Sequence, residues 1–257
     1  MGARIVTFVN QKGGVGKTTT AVSVSAALGR RGQRVLLVDL DPQANASSAA
    51  GVDGRDRNGV YEALLEEVPA GDCIVRVPDD QFDLVPSSAA LAGAEVELVP
   101  AMARERRLAA ALNPLRDRYD WIFIDCPPSL GLLTINALTA SDSVVIPVQC
   151  EYMALEGLSR LMETLELVRR ALNPGLSVLG VVLTMFDART RLAQQVVDEV
   201  RGHFTTQVFQ TVIPRAVRLS EAPSHGISIF QYDPGGRAAT AYDALAGELL
   251  GRVEVPA

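Results

Sequence analysis

Lysine is almost missing from this 257-residue chain: of 24 basic residues, two are lysine, Lys12 and Lys17, and the other 22 are arginine. A basic excess is missing too. Acidic residues number 30 and leave a formal net charge of −6, which excludes a strongly basic nucleic-acid-binding domain as a whole-chain property, though not a local patch. Cysteine is scarce. Cys73, Cys126 and Cys150 lie far apart without metal-ligand spacing, which argues against a disulfide framework and suits a reducing cytoplasm. His203 and His225 are the two histidines; neither has a partner at metal-binding spacing, and both read as structural or solvated. Aromatic residues make up 5%, and the five tyrosines are dispersed with no terminal cluster. No apolar run approaches the length of a membrane span. The first residues lead straight into a strand-like run rather than a signal peptide, and no repeat or low-complexity tract interrupts the chain.

What is abundant is apolar sequence, at 48% of residues, arranged in alternation. Strand-like runs occupy Ile5–Val9, Arg34–Leu40, Phe82–Pro86, Trp121–Asp125, Ser143–Val148, Val178–Thr184 and Val208–Ile213. They are rich in Val, Ile and Leu and continuous rather than alternating, as in strands covered on both faces. Helix-like runs fall between them, at Thr20–Leu28, Arg104–Tyr119, Leu130–Ala140, Leu155–Leu172, Arg191–Phe204 and Arg237–Leu250. The pattern predicts an α/β fold: a doubly wound, mainly parallel sheet with helices on both faces. No Pro-, Gly- or Ser-rich linker divides it, so residues 1–257 are expected to form a single domain. Gly51–Asp80, rich in Gly, Asp and Arg, reads as a surface excursion of loop and short helix.

The two lysines lie together in Lys12-Gly13-Gly14-Val15-Gly16-Lys17-Thr18-Thr19, between the first strand and the first helix. Strand, glycine loop and helix is the setting of a phosphate-binding loop. Glycines let backbone N–H groups turn inward on an anion, and the helix N-terminus adds its positive end. Lys17 supplies a point charge for β- and γ-phosphates, and the Thr18 hydroxyl suits Mg2+. The loop departs from the usual G-x-x-x-x-G-K-[ST] pattern: Gln11 stands where glycine is expected, and Lys12 follows it. A compact ammonium fits a phosphate cradle better than a planar guanidinium fork.

Carboxylates cluster at predicted strand ends, where ligands bind in such sheets. Asp39 and Asp41 are two apart in Asp39-Leu40-Asp41-Pro42-Gln43, and so face one way if the strand stays extended. Their plain reading is turn chemistry; their functional one is management of Mg2+ and water beside the γ-phosphate. Trp121-Ile122-Phe123-Ile124-Asp125 is a buried strand aiming one carboxylate at a metal. Pro127-Pro128-Ser129 then forces a turn, with Cys126 read as core. The segments 148–152, 184–187 and 213–215 close further strands at the same edge. Glu151 carries no chemistry that the sequence assigns beyond a charge near a helix N-terminus.

K-G-G-x-G-K-T-T resembles the deviant Walker A loop of the ParA/MinD group of P-loop ATPases. Asn10-Gln11-Lys12, Val38–Gln43, Ile124–Ser129, Pro214-Arg215 and Pro223–Gly226 narrow the resemblance to the ParA/Soj partition ATPases, over almost the whole chain. The resemblance implies ATP and Mg2+ as ligands and an ATPase reaction. It implies that Lys12 contacts the phosphates of a partner subunit's ATP, that Asp41 positions or activates the attacking water, and that Thr18, Asp39 and Asp125 serve the metal. It further implies that Met185, Pro214 and Arg215 line an adenine pocket. Arg189 and Arg218, with Arg191 and Arg215 beside them, fall at strand-to-helix connections. Their plain reading is a solvated face with acidic neighbours, and the resemblance makes Arg189 and Arg218 candidates for DNA contact. The whole expectation is a homodimer formed on ATP, non-specific binding to double-stranded DNA, a ParB-type partner, and a cytoplasmic, nucleoid-associated protein. The end of the chain, Glu248 to Ala257, lacks the basic amphipathic helix of a membrane-bound MinD-like relative, and no room precedes the loop for a helix-turn-helix domain. The alternatives kept open are a MinD-like ATPase and a metabolic ATP-dependent enzyme on the same fold.

Overall fold

Eight strands build one sheet: β1 (Arg4–Phe8), β2 (Val35–Asp39), β3 (Val75–Val77), β4 (Phe82–Val85), β5 (Trp121–Asp125), β6 (Ser143–Gln149), β7 (Ser177–Phe186) and β8 (Val208–Pro214). Their order is β3-β4-β2-β5-β1-β6-β7-β8. All neighbours are parallel except β3 against β4. The computed structural model describes residues 2–77, 79–151, 154–205 and 207–254. Tyr152 and the last three residues of the tail lie outside that set.

The continuous apolar runs have a direct cause. On β1, Val6 and Phe8 enter one core with Leu37 and Phe123, while Ile5 enters the opposite core with Leu36, Val38, Ile122 and Ile124. Successive side chains point to opposite faces, and helices cover both. The first face is covered by α1 (Lys17–Arg30) with the C-terminal helix 237–254, whose Ala238, Ala239, Tyr242, Leu245, Ala246 and Leu249 form one buried stripe at helical spacing. Between them in sequence come α2 (Asn45–Ala49), α3 (Val60–Leu64), α4 (Leu91–Glu97), α5 (Arg107–Leu112), α6 (Leu132–Ala140), α7 (Ala154–Ala171), α8 (Arg191–His203), α9 (Arg218–Glu221) and α10 (Ile229–Tyr232), which makes the C-terminal helix α11 (Arg237–Glu254). The third core lies between β6, β7 and helices α7 and α8.

Two local expectations are corrected. The predicted helix Arg104–Tyr119 is broken into a 3-10 turn at Arg104–Arg106, the short α5, and a second 3-10 turn at Asn113–Leu115. Pro114 lacks the N–H that a continuous helix would use. The excursion at Gly51–Asp80 holds, besides short helix, the strand β3, which hydrogen-bonds antiparallel to β4. The tail's charges turn inward. Glu248 accepts from the Gln210 and Thr211 amides at 2.7 Å each, and Arg252 donates to the carbonyls of Leu179, Gln207 and Val208. No helix among the described residues is long and apolar enough to cross a membrane.

One close approach fixes how α1 meets the β3–β4 turn. A methyl group at Gly29 would sit 2.7 Å from the carbonyl oxygens of both Asp80 and Gln81. Helix propensity favours Ala over Gly by about 1 kcal/mol, while overpacking against backbone costs about 1–3 kcal/mol. Gly29→Ala is therefore expected to lower the melting temperature by a few degrees in thermal denaturation, the reverse of what propensity alone dictates.

Candidate functional site

The glycine loop leaves β1 and closes on the first turn of α1. Gly14 and Gly16 have φ of 72° and 87°, left-handed values that cost other residues strain. Two hydrogen bonds hold the loop to neighbouring strands. Asn10 donates from Nδ2 to the Pro147 carbonyl of β6 at 2.7 Å and accepts the Lys12 amide at 3.0 Å. Thr184 of β7 donates to the Val15 carbonyl at 2.8 Å. Gly13, Gly14 and Lys12 are exposed, Thr18 and Thr19 half-buried, and Lys17 buried. The Lys17 ammonium donates to the Lys12 carbonyl at 3.3 Å. Burial lowers its pKa, against the raising influence of Asp125, Cys126 and Asp41.

Opposite Lys17 stand the carboxylates. Asp39 and Asp125 are register partners at the ends of the paired strands β2 and β5, and both are fully buried. Neither oxygen of Asp125 has a formed hydrogen bond. Burial, and after it the Asp39 charge, push its pKa well up, and the nearby Thr18 hydroxyl and Lys17 offset this only in part. A buried carboxylate with free lone pairs beside a hydroxyl is a set of oxygen donors that fits Mg2+. Thr18 and Asp125 would hold the ion. Asp39, expected to help with the metal shell, is tied elsewhere: it accepts the Ser47 amide and hydroxyl at 2.8 and 2.7 Å and the Asp41 amide at 3.2 Å. Burial still raises its pKa to about 6. Asp41, 6% exposed, accepts the Gln43 amide at 2.9 Å, while its carbonyl accepts the Ser87 hydroxyl at 2.7 Å. Ser87 in turn donates its amide to Ser47 at 3.0 Å. Asp39, Ser47, Ser87 and Asp41 thus close one buried network that fixes the Asp41 turn. Ser47, Ser87 and Thr184 escaped the sequence reading because each acts through an ordinary hydroxyl in no recognisable motif.

Met185, Pro214 and Arg215 lie together at the ends of the adjacent strands β7 and β8. Met185 has φ 53°, an uncommon value for a side chain of its size and of a kind that clusters at binding sites. Phe186 pairs with Pro214, and Arg215 donates its amide to the Phe186 carbonyl at 2.9 Å. Met185 and Pro214 are half-buried and Arg215 is exposed. A residue without an assigned role joins them. Glu151, just past β6, pairs with both Arg215 at 3.2 Å and Lys12 at 3.7 Å.

Arg189 and Arg218 leave the sheet at the same edge, after the adjacent strands β7 and β8. Each carries an acidic neighbour. Arg189 pairs with Asp187 at 2.7 Å and holds its pKa down to about 2. Arg218 pairs with Glu221 at 3.2 Å and lies 5.6 Å over the Tyr232 ring. The plain reading of these arginines is therefore present in the geometry alongside their outward placement.

A carboxyl whose pKa is higher in the folded than in the unfolded chain binds more protons when folded. Stability therefore falls as pH rises from the unfolded value of about 3.9 through the folded one. For Asp39, at about 6, the penalty at neutral pH is about 3 kcal/mol, and Asp125 adds to it in the same sense. Asp125→Asn is expected to melt higher than the parent in metal-free buffer at neutral pH, with the gap closing as pH falls. Mg2+ should add to nucleotide stabilisation in the parent but not in the variant. Differential scanning fluorimetry with nucleotide plus Mg2+ or EDTA checks both.

Comparison with known proteins narrows the family. The AAA domain family model matches residues 3–178. The chain is 56% identical over 247 residues to the sporulation initiation inhibitor protein Soj of Bacillus subtilis, covering 96% of this chain and 98% of that protein. It is 53% identical over 250 residues to the chromosome partitioning protein ParA of Myxococcus xanthus, covering 97% and 88%. Among solved structures, cobyrinic acid a,c-diamide synthase from Mycobacterium smegmatis, with a bound ATP analog and magnesium, superposes with TM-score 0.86 at 38% identity, covering 98% of this chain and 96% of that one. The synthase shares the fold with a lower identity than the partition proteins. On these grounds, and on a glycine loop carrying both lysines, the chain belongs to the Soj/ParA family of chromosome-partitioning P-loop proteins.

Proposed function

We propose that residues 1–257 act as one P-loop ATPase domain, a switch that dimerises around ATP, binds DNA without sequence preference and is reset by hydrolysis. The observation that carries this reading is the division of labour between the two lysines. Lys17 is buried inside its own loop, at 6% exposure. Lys12 is 54% exposed at the lip and points away to Glu151, free to meet the phosphates of a second subunit. Gly13 to Thr19 offer backbone N–H groups to the phosphates, and Met185, Pro214 and Arg215 flank the base. Thr18 and Asp125 would hold Mg2+, which when bound would supply positive charge against the charge that develops on the phosphates. Asp41, fixed by the Asp39–Ser47–Ser87 network, is oriented to take a proton from, or align, the attacking water. Arg189 and Arg218 supply phosphate contacts to DNA, doubled in a two-fold dimer. A ParB-type stimulator and a cytoplasmic, nucleoid-associated setting follow from the family.

The similarity to a named synthase supports a second reading, a metabolic ATP-dependent enzyme. That reading requires ATP consumption indifferent to DNA. Among the described residues no group of three or more His, Cys, Asp and Glu that could hold a metal is found.

Two substitutions separate the parts. Asp41→Ala is expected to retain ATP binding and accumulate as an ATP-bound dimer, with turnover lower by ~10²–10⁴; a variant that remains monomeric with ATP on size-exclusion chromatography refutes the assignment. Arg218→Glu is expected to abolish binding to random duplex while leaving ATP-dependent dimerisation intact, and Arg189→Glu to weaken binding similarly. In polarisation titrations log K should fall by ~0.9 per log unit of salt for each phosphate neutralised. Equal DNA affinity with ADP and ATP, or unchanged affinity in Arg218→Glu, would favour the metabolic reading.

A further inference from the structure

We infer that Glu151 is a built-in stand-in for phosphate, a positioning residue that holds Lys12 and Arg215 within one chain and yields them when the triphosphate of a second subunit arrives. The inference rests on the cross-subunit role of Lys12 given under Proposed function. Its geometry is a convergence of three strand ends. Glu151 follows β6, Lys12 follows β1 beside it, and Arg215 follows β8 two strands away. Oε1 of Glu151 accepts from Gln149 Nε2 at 2.6 Å and from Arg215 Nη2 at 3.2 Å, and Oε2 faces Lys12 Nζ at 3.7 Å. The Glu151 amide bonds the Gln149 carbonyl at 2.8 Å, so the carboxylate is presented by a tight local turn rather than by a freely moving side chain.

The charge balance favours exchange. Two cations share one carboxylate, so the cluster keeps an excess positive charge that a polyphosphate satisfies better than Glu151 does. Lys12, Glu151 and Arg215 are 54%, 44% and 56% exposed. Ion pairs at such exposure are weak and salt-screened, so they bias the resting direction of Lys12 without locking it. The outcome is a threshold. A single chain presents Lys12 partly offset by Glu151, and an anion of higher charge than Glu151 is favoured to draw it across the interface.

The test is Glu151→Gln, which keeps size and the hydrogen-bonding partners Gln149 and Arg215 but removes the charge. Dimer formation is followed by size-exclusion chromatography with light scattering during titration with Mg2+ and a non-hydrolysable ATP analogue. Circular dichroism melting confirms that the variant folds. The variant is expected to reach half-maximal dimer at a nucleotide concentration about three- to tenfold lower than the parent, the effect of removing one or two exposed pairs. The advantage should shrink in high salt. The conservative Glu151→Asp, which keeps the negative charge, should stay close to the parent's nucleotide requirement, a result that a merely structural role for the Glu151 side chain would not produce. An unchanged or raised nucleotide requirement in Glu151→Gln overturns the inference, as does an equal lowering in Glu151→Asp. A parent chain that never dimerises with the analogue refutes the underlying reading instead, so the two failures are distinct.

Discussion

Two carboxylates buried side by side set the terms for the rest of the molecule. Asp39 and Asp125 face each other across β2 and β5 with no solvent to carry their charge. Buried charge is costly unless paired, hydrogen-bonded or metal-bound. The chain satisfies one and leaves the other open. Asp39 accepts three hydrogen bonds and becomes the anchor of the Asp41 turn, whereas Asp125 has none and depends on Lys17 and an incoming cation. A central sheet whose middle strands are wholly buried is what makes such a site possible, because a surface strand would let water relieve the charge.

The same sheet explains why the loop can be precise. Backbone curled through left-handed glycines would be loose if tethered only at its ends. Here Asn10 ties it to β6 and Thr184 ties it to β7, so the phosphate-binding backbone is an extension of the parallel ladder. The strands that bear these tethers also carry Glu151 and Met185 at their ends. Under the proposed roles, phosphate, base and interface groups share one edge of the sheet.

How much of this was legible follows from the range of each interaction. The seven long strands could be read because burial on both faces leaves unbroken Val, Ile and Leu runs. The glycine loop could be read because its backbone demand is local. Strand β3 could not: three residues with an exposed Arg76 in the middle carry no periodic signal, and only pairing with β4 makes them a strand. The helix expected across 104–119 failed at Pro114, where local chemistry outweighed a favourable composition. Asp39 stood out in the sequence at a strand end, but its ties to Ser47 and Asp41 could not be read, since Ser47 lies eight positions away in a separate helix. Glu151 was opaque for a stronger reason: its partners come from positions 12 and 215, which are brought together only by the order of strands in the sheet.

The proposed DNA binding must be reconciled with a net charge of −6, and the pairing of the arginines bears on it. Arg189, Arg215 and Arg218 each have a carboxylate within 3.2 Å, from Asp187, Glu151 and Glu221. Two of those acids are sequence neighbours, so the neutralisation is local and present in every copy of the chain. Under the proposed role, a lone copy offers DNA a patch whose positive charges are largely answered, and its long-range pull is small beyond a Debye length of ~10 Å at 0.1 M salt. Phosphates then compete with exposed carboxylates for the same guanidinium groups, an exchange with little desolvation cost on either side. Such an exchange is individually marginal and becomes decisive only when many contacts form together. A two-fold assembly supplies that multiplicity without any change in composition. Under the proposed role, the near-neutral patch would make DNA binding a property of the assembled state, coupled to whatever allows Lys12 to leave Glu151.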